Sequence, residues 1–294
     1  MRPAWSVLLL TTLIGAGQGL YLALFAAHAS GRLLQAGMVL SLAFLTGGLA
    51  ASFFHLGRPE RAWRSAAMWR TSWLSREVIV LPAFMALVAA YAWTQSAAVG
   101  ALGAAACLAL FVCTGMIYAC LPFLQEWRTP LTVVNFTLLG CASGLTAAAA
   151  LAAWLEPELA RPYAAAALVA GALAYLGRLA SLARNARLRP KSTLASAIGV
   201  KHPKIVQIAQ GAMAGSFNTR EFFHGRPREV VRAARWTLLA LVFPAPALLL
   251  LAAPQSAPAL GAAFLLQYAG LLAERWYFFA EAKHPQTLYY QAIA

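Results

Sequence analysis

Eight blocks of about 20 mostly apolar residues run through this 294-residue chain, and nothing else in it limits the fold so tightly. A helix of that length crosses the hydrocarbon core of a bilayer. Lipid offers no partners to backbone N–H and C=O groups, so spanning segments close their hydrogen bonds internally as helices. The blocks fall at 4–27, 33–54, 74–95, 97–119, 131–155, 163–182, 236–253 and 257–280. They predict one all-α polytopic membrane domain over 1–294 with eight transmembrane helices. Composition agrees: 61% of residues are hydrophobic and 11% charged, where a soluble domain carries about a quarter charged. Pro244 and Pro246 predict a kink in the seventh span. The first block is too long for a signal-peptide core and lacks an A-x-A-like site, so it reads as a span.

Glycine and alanine recur inside the blocks, as in Gly15-Ala16-Gly17-Gln18-Gly19 and Gly140-Cys141-Ala142-Ser143-Gly144. Such runs predict close helix–helix approach. The first has the wrong spacing for a nucleotide-binding fingerprint and lies within a span.

With eight spans both termini share a side, and that side collects 21 of the 23 lysines and arginines; Arg32 and Arg161 alone fall opposite. The positive-inside rule therefore places both termini in the cytoplasm, with a long basic loop at 183–235 between spans six and seven. The net charge of +14 becomes a property of one face. A basic membrane face suits anionic lipid or an acidic soluble partner. No nucleic-acid-binding fold frames it, so nucleic acid is not an expected partner.

The four cysteines, Cys107, Cys113, Cys120 and Cys141, show no C-x-x-C or ferredoxin spacing and read as buried small hydrophobes, with no metal site of the chain's own. The five histidines provide no pair at matching depth on two spans, so no haem is expected. The chain has no aspartate and no glutamate near the middle of a span, which weighs against a transporter.

The junction between spans two and three stands out: residues 55–77 read HLGRPERAWRSAAMWRTSWLSRE. Gly57 and Pro59 are expected to stop the second helix, and Ser75-Arg76-Glu77 to open the third with a serine cap. His55 and Glu77 then lie at similar depth on neighbouring helices. A quinone headgroup needs hydrogen-bond donors for its carbonyls, a carboxylate in contact with water for its protons, and an apolar mouth; His55 and Glu77 match that need. Trp73, like Trp63 and Trp69, suits packing along the ring or tail. The same residue types also serve as interfacial anchors and caps.

HLGRPERAW at 55–63, followed by SWLSRE at 72–77, resembles the membrane anchor subunits of dimethyl sulfoxide reductase-type molybdoenzymes, the DmsC-like family. The resemblance spans the whole chain. It implies a complex in which a catalytic subunit holds a molybdenum cofactor and a four-cluster ferredoxin-like partner bears [4Fe-4S] clusters. The anchor exchanges electrons with menaquinone or ubiquinone, and the expected quinone site comprises His55, Gly57, Arg58, Trp73, Ser75, Arg76 and Glu77. The anchor itself then has a quinone site but no catalytic metal.

The loop at 183–235 is longer than the family pattern. It mixes apolar and charged residues in KHPKIVQIAQGAM and SFNTREFFHG, which predicts order on a partner, with Arg220, Arg226 and Arg228 as docking charges for the iron–sulfur subunit. That loop and the start MRPAWSVLLLTTLIGAGQG resemble the anchors of sulfite-oxidising complexes, whose electrons enter the quinone pool. The alternatives are quinol oxidation feeding a dimethyl sulfoxide-type reductase, a transporter, and a non-redox scaffold.

Overall fold

The computed structural model describes residues 1–206, 208–209 and 222–289, and every regular element among them is helical. The helices are α1 (Trp5–Ala26), α2 (Gly31–Phe53), α3 (Trp73–Thr94), α4 (Ala97–Ala119), α5 (Pro130–Leu155), α6 (Pro157–Ala186), α7 (Leu194–Ile198), α8 (Arg228–Leu241), α9 (Pro244–Ala252), α10 (Ala257–Glu281) and α11 (Gln286–Tyr289), with a 3₁₀ segment at Pro59–Met68. Among the described residues, eight segments are long and apolar enough to cross a membrane, as the sequence predicts; the seventh is α8 with α9. Leu8 near the start of α1, Trp127 just before α5 and Phe278 near the end of α10 share one apolar cluster. The junction 54–72, the α6–α8 connection and the start of α1 therefore belong to the same end of the bundle, which is the arginine-rich end.

Helix starts follow local chemistry. Ser72 and Thr129 accept backbone hydrogen bonds at the heads of α3 and α5, and Pro130 occupies the first turn of α5, where a missing N–H costs nothing. Helix α6 runs for 30 residues, about 45 Å, so it extends past the bilayer core. Helical structure enters both ends of the 183–235 segment, since α6 continues to Ala186 and α8 begins at Arg228.

The glycine runs bring backbones together, as expected. A Cβ on Gly144 of α5 would sit 2.0 Å from the carbonyl carbon of Gly19 in α1, and one on Gly19 would sit 2.0 Å from the Gly140 oxygen. Polar side chains add interhelical bonds across the same core: Ser41 donates to the Gly17 carbonyl (2.9 Å), and Gln18 to that of Cys107 (2.9 Å). Farther along α1, the Tyr21 hydroxyl donates to Gly100 O (2.9 Å), and its ring meets Phe84 edge-on at 5.1 Å. These bonds lock α1 to α2 and α4, beside its glycine seam with α5, where no hydrophobic force between helices is available.

The seventh span is broken, where the sequence predicts only a kink. Pro244 lacks an N–H, and the α8 ladder ends at Val242. Helix α10 covers the break. Gln267 Nε2 donates to the freed Val242 carbonyl (3.4 Å), and Gly270 lets the backbones close up, since a Cβ there would lie 2.7 Å from Val242 N. Non-helical backbone at membrane depth survives only when protein supplies such partners.

Candidate functional site

Helix α2 is complete at Phe53, with Phe54 as its C-cap, so His55, Gly57 and Arg58 lie in the connection beyond it. Gly57 is four residues past the end, and its φ is not positive, so it does not stop the helix as expected. All three residues are exposed. The His55 side chain makes no hydrogen bond among the described residues, and partial burial pulls its pKa below the ordinary histidine value.

The segment from Arg58 to Arg76 forms a rim of paired cations and indoles. Arg64 lies over Trp63 (5.9 Å), Arg70 over Trp69 (5.4 Å) and Arg76 over Trp73 (4.2 Å). Exposed indoles paired with arginines are the residue types that anchor a chain at a membrane interface. Arg76 does more. Its Nε donates to the Trp69 carbonyl (2.9 Å) and its Nη2 to that of Arg70 (2.8 Å), pinning the end of the 3₁₀ segment to the first turns of α3. The guanidinium is committed to this clamp instead of serving as a free proton partner for Glu77.

The serine that caps α3 is Ser72, not Ser75; its hydroxyl accepts from the Ser75 N–H (3.3 Å). The shift turns Ser75 and Glu77 inward, 3% and 7% exposed. The Glu77 carboxylate faces α4 and accepts a hydrogen bond from the Thr114 hydroxyl. No hydrogen bond or ion pair joins Glu77 to His55 among the described residues. The junction therefore offers a buried, singly hydrogen-bonded carboxylate at the start of α3 and an exposed histidine beyond the end of α2.

A second polar group lies deeper in the bundle. Arg178 of α6 and Glu274 and Arg275 of α10 are 2%, 1% and 4% exposed. The Arg178 Nε lies 3.4 Å from Glu274 Oε1, Arg275 Nη1 lies 3.0 Å from Glu274 Oε2, and Arg178 Nη2 lies 3.8 Å from Glu281. Arg275 also stacks over Phe136 (3.4 Å). By position in the sequence Arg178 and Arg275 are topology charges on the basic face; in the fold they are interior. Their signal was an Arg within the sixth block and an adjacent Glu-Arg within the eighth, each a charge that lipid does not tolerate unpaired.

Of the cysteines, Cys107 and Cys113 are buried and Cys141 is half-buried, but Cys120 is exposed, because it caps α4 where the helix leaves the bundle. Arg226 and Arg228 are exposed at the head of α8, while Arg220 lies outside the described residues. The end of this connection is fixed: Phe222 stacks on His284 at 3.9 Å and 4°, and His284 meets Phe123 edge-on.

Residues 3–290 match the family described as DMSO reductase anchor subunit (DmsC). The chain is 54% identical, over a 327-residue alignment covering all of both chains, to a sulfite dehydrogenase subunit of Allochromatium vinosum. Eight membrane-spanning helices and a match along nearly the full length agree: the chain belongs to the DMSO reductase anchor subunit family.

Proposed function

We propose that this protein is the quinone-reactive anchor of a molybdopterin oxidoreductase complex, seated in the bacterial inner membrane with its soluble partners on the cytoplasmic face. In this reading the complex oxidises sulfite and reduces quinone. Sulfite and water would yield sulfate, two protons and two electrons at the catalytic subunit; [4Fe-4S] clusters of a ferredoxin-like subunit would supply the electron relay, and the site on this chain would hold menaquinone or ubiquinone while it takes up two electrons and two protons to become quinol. The likeness to a sulfite dehydrogenase subunit supports this direction over quinol oxidation feeding a reductase. The observation that carries the quinone site is the buried Glu77 carboxylate, held by Thr114 just inside an aromatic and arginine rim.

The residues present fit a quinone headgroup. His55 supplies a donor at the mouth, Glu77 exchanges a proton, Trp73 gives a flat apolar wall, and Ser75 lies one residue from Arg76 on the same turn. Gly57 leaves the approach open, with no atom within 4 Å of where a Cβ would stand, and Arg58 adds positive charge at the entrance.

His55→Ala and Glu77→Gln are each expected to leave the complex assembled while quinone turnover falls at least tenfold, about 1.4 kcal/mol in barrier. Steady-state quinone reduction by the purified complex is the measurement, and unchanged rates in both variants remove these residues from the site. Because the His55 pKa is lowered, the ring is neutral at pH 7 and protonates only below the usual value near 6.5. Turnover should therefore show an acid limb below that pH, and His55→Gln should erase it.

Docking is proposed at the basic connection before α8. Charge reversal at Arg226 and Arg228 should release the soluble subunits at lower salt than the parent complex, read by their retention on membranes across a salt series. Retention identical to the parent would move the dock elsewhere.

A further inference from the structure

Two adjoining spaces lie beside the buried charges, and neither is lined by His55 or Glu77. The larger is a cavity of about 510 Å³ at the arginine-rich end, walled by Phe123 and Glu126 before α5, Asn185 of α6, Arg235 of α8, and Glu281 and His284 at the end of α10. The smaller is a space of about 10 Å³, close to the room one water needs. Glu126 and Asn185 line both, so the two spaces adjoin at these side chains.

The small space is polar. Asn135 Oδ1, both Glu274 carboxylate oxygens, Arg178 Nε and Arg275 Nε have no hydrogen-bond partner among the described residues, and all four side chains are more than nine-tenths buried. The ion pairs around Glu274 are made off the hydrogen-bonding directions. A buried polar group left unsatisfied is costly, so a bound water is the natural partner. Two arginines and a glutamate in spanning helices, grouped around a water-sized space, give one water several hydrogen-bonding partners.

From there the line continues to α3. The Tyr118 ring on α4 is packed by Trp127, Phe136, Phe278 and Phe279. Tyr118 lies one helical turn from Thr114, the residue that holds Glu77, and its ring meets Phe136 and Phe278, over which Arg275 lies. Tyr118 thus stands between the ionic cluster and the carboxylate assigned to the quinone site.

We propose that protons travel between the aqueous phase and Glu77 along this line: the surface cavity, Glu126 and Asn185, water held by Arg178, Glu274 and Arg275, and the Tyr118 hydroxyl. The proposal rests on the quinone reading of Glu77. For each quinone reduced by two electrons from an iron–sulfur centre, two protons leave the aqueous side. Glu77 gives up a proton and regains one from the Tyr118 O–H, and the phenol oxygen is reprotonated from the water beside Arg275. The other charged groups along the line are Arg76, next to Glu77 in the chain, Glu281 beside Arg178, and Arg235 at the cavity.

The test uses the intact complex in phosphatidylcholine liposomes, with a soluble short-chain ubiquinone as acceptor. Tyr118→Phe keeps the ring and removes the hydroxyl; Glu126→Gln keeps the shape and removes the charge at the entrance. Both are expected to lower kcat for quinone reduction at least fivefold, leave the quinone KM unchanged, and raise the solvent deuterium isotope effect. Electron transfer from substrate to a water-soluble acceptor that bypasses quinone should be unaffected in both. Rates and isotope effects within twofold of the parent in both variants overturn the path while leaving the quinone site standing. A parent complex that reduces the soluble acceptor but no quinone overturns the functional reading, and the path with it. If Tyr118→Phe does not assemble, Glu126→Gln decides alone.

Discussion

Replacing Glu274 by leucine should lower the stability of the folded bundle by about 3–5 kcal/mol, the usual effect of removing one member of a buried ion group. Glu274 is the shared partner of Arg178 and Arg275, at 3.4 and 3.0 Å, and is 1% exposed. Its loss leaves two guanidinium groups facing each other inside the bundle, with only Glu281, 3.8 Å from Arg178, to offset them among the described residues. A domain is typically stable by about 5–15 kcal/mol, so most of the margin is lost. The measurement is thermal unfolding in detergent, followed by size-exclusion of the heated sample. Glu274→Gln should fall between, because it keeps two hydrogen-bonding atoms but not the charge. A Glu274→Leu protein that melts with the parent would show that the cluster is electrostatically idle.

Gly144→Leu should be as damaging by a different route. A single added Cβ would overlap the Gly19 carbonyl carbon at 2.0 Å, and the backbone of Gly19 and Leu20 offers no flexible side chain to yield. The collision can be relieved only by separating α1 from α5. That separation breaks the packing of α1, the most buried span, whose Gln18 and Tyr21 bonds to α4 depend on its position. Overpacking a rigid core costs about 1–3 kcal/mol or more, and a backbone clash belongs at the upper end. Gly171→Leu is the internal control, because that glycine has no atom within 4 Å of its Cβ position and should be tolerated. Equal yields of folded protein from the two variants would contradict the close seam.

The spans were legible in the sequence because lipid enforces a length and a composition at once, and the glycine runs because small residues inside a span have few other uses. Finer features depended on what stands opposite. Spacing along the chain points to Ser75 as the cap; in the fold Ser72 caps α3 and Glu77 turns inward to Thr114, which lies 37 residues away. Arg178 and the Glu274-Arg275 pair look like interface charges when read along one helix, since each lies near the end of its block. Only the packing of α6 beside α10 turns them into interior partners. The break at Val242 likewise needed Gln267 and Gly270 from another helix to become tolerable, so the prolines alone announce no more than a bend.

The ionic seam between α6 and α10 also imposes an order on biogenesis. On its own, the last helix carries Glu274 and Arg275 within its apolar stretch, where charged side chains resist insertion. Arg178, made about a hundred residues earlier, is already in the membrane when that helix emerges from the ribosome. The final span thus enters as a guest of the sixth, and the ribosome releases a complete bundle only after the earlier helix has found its place.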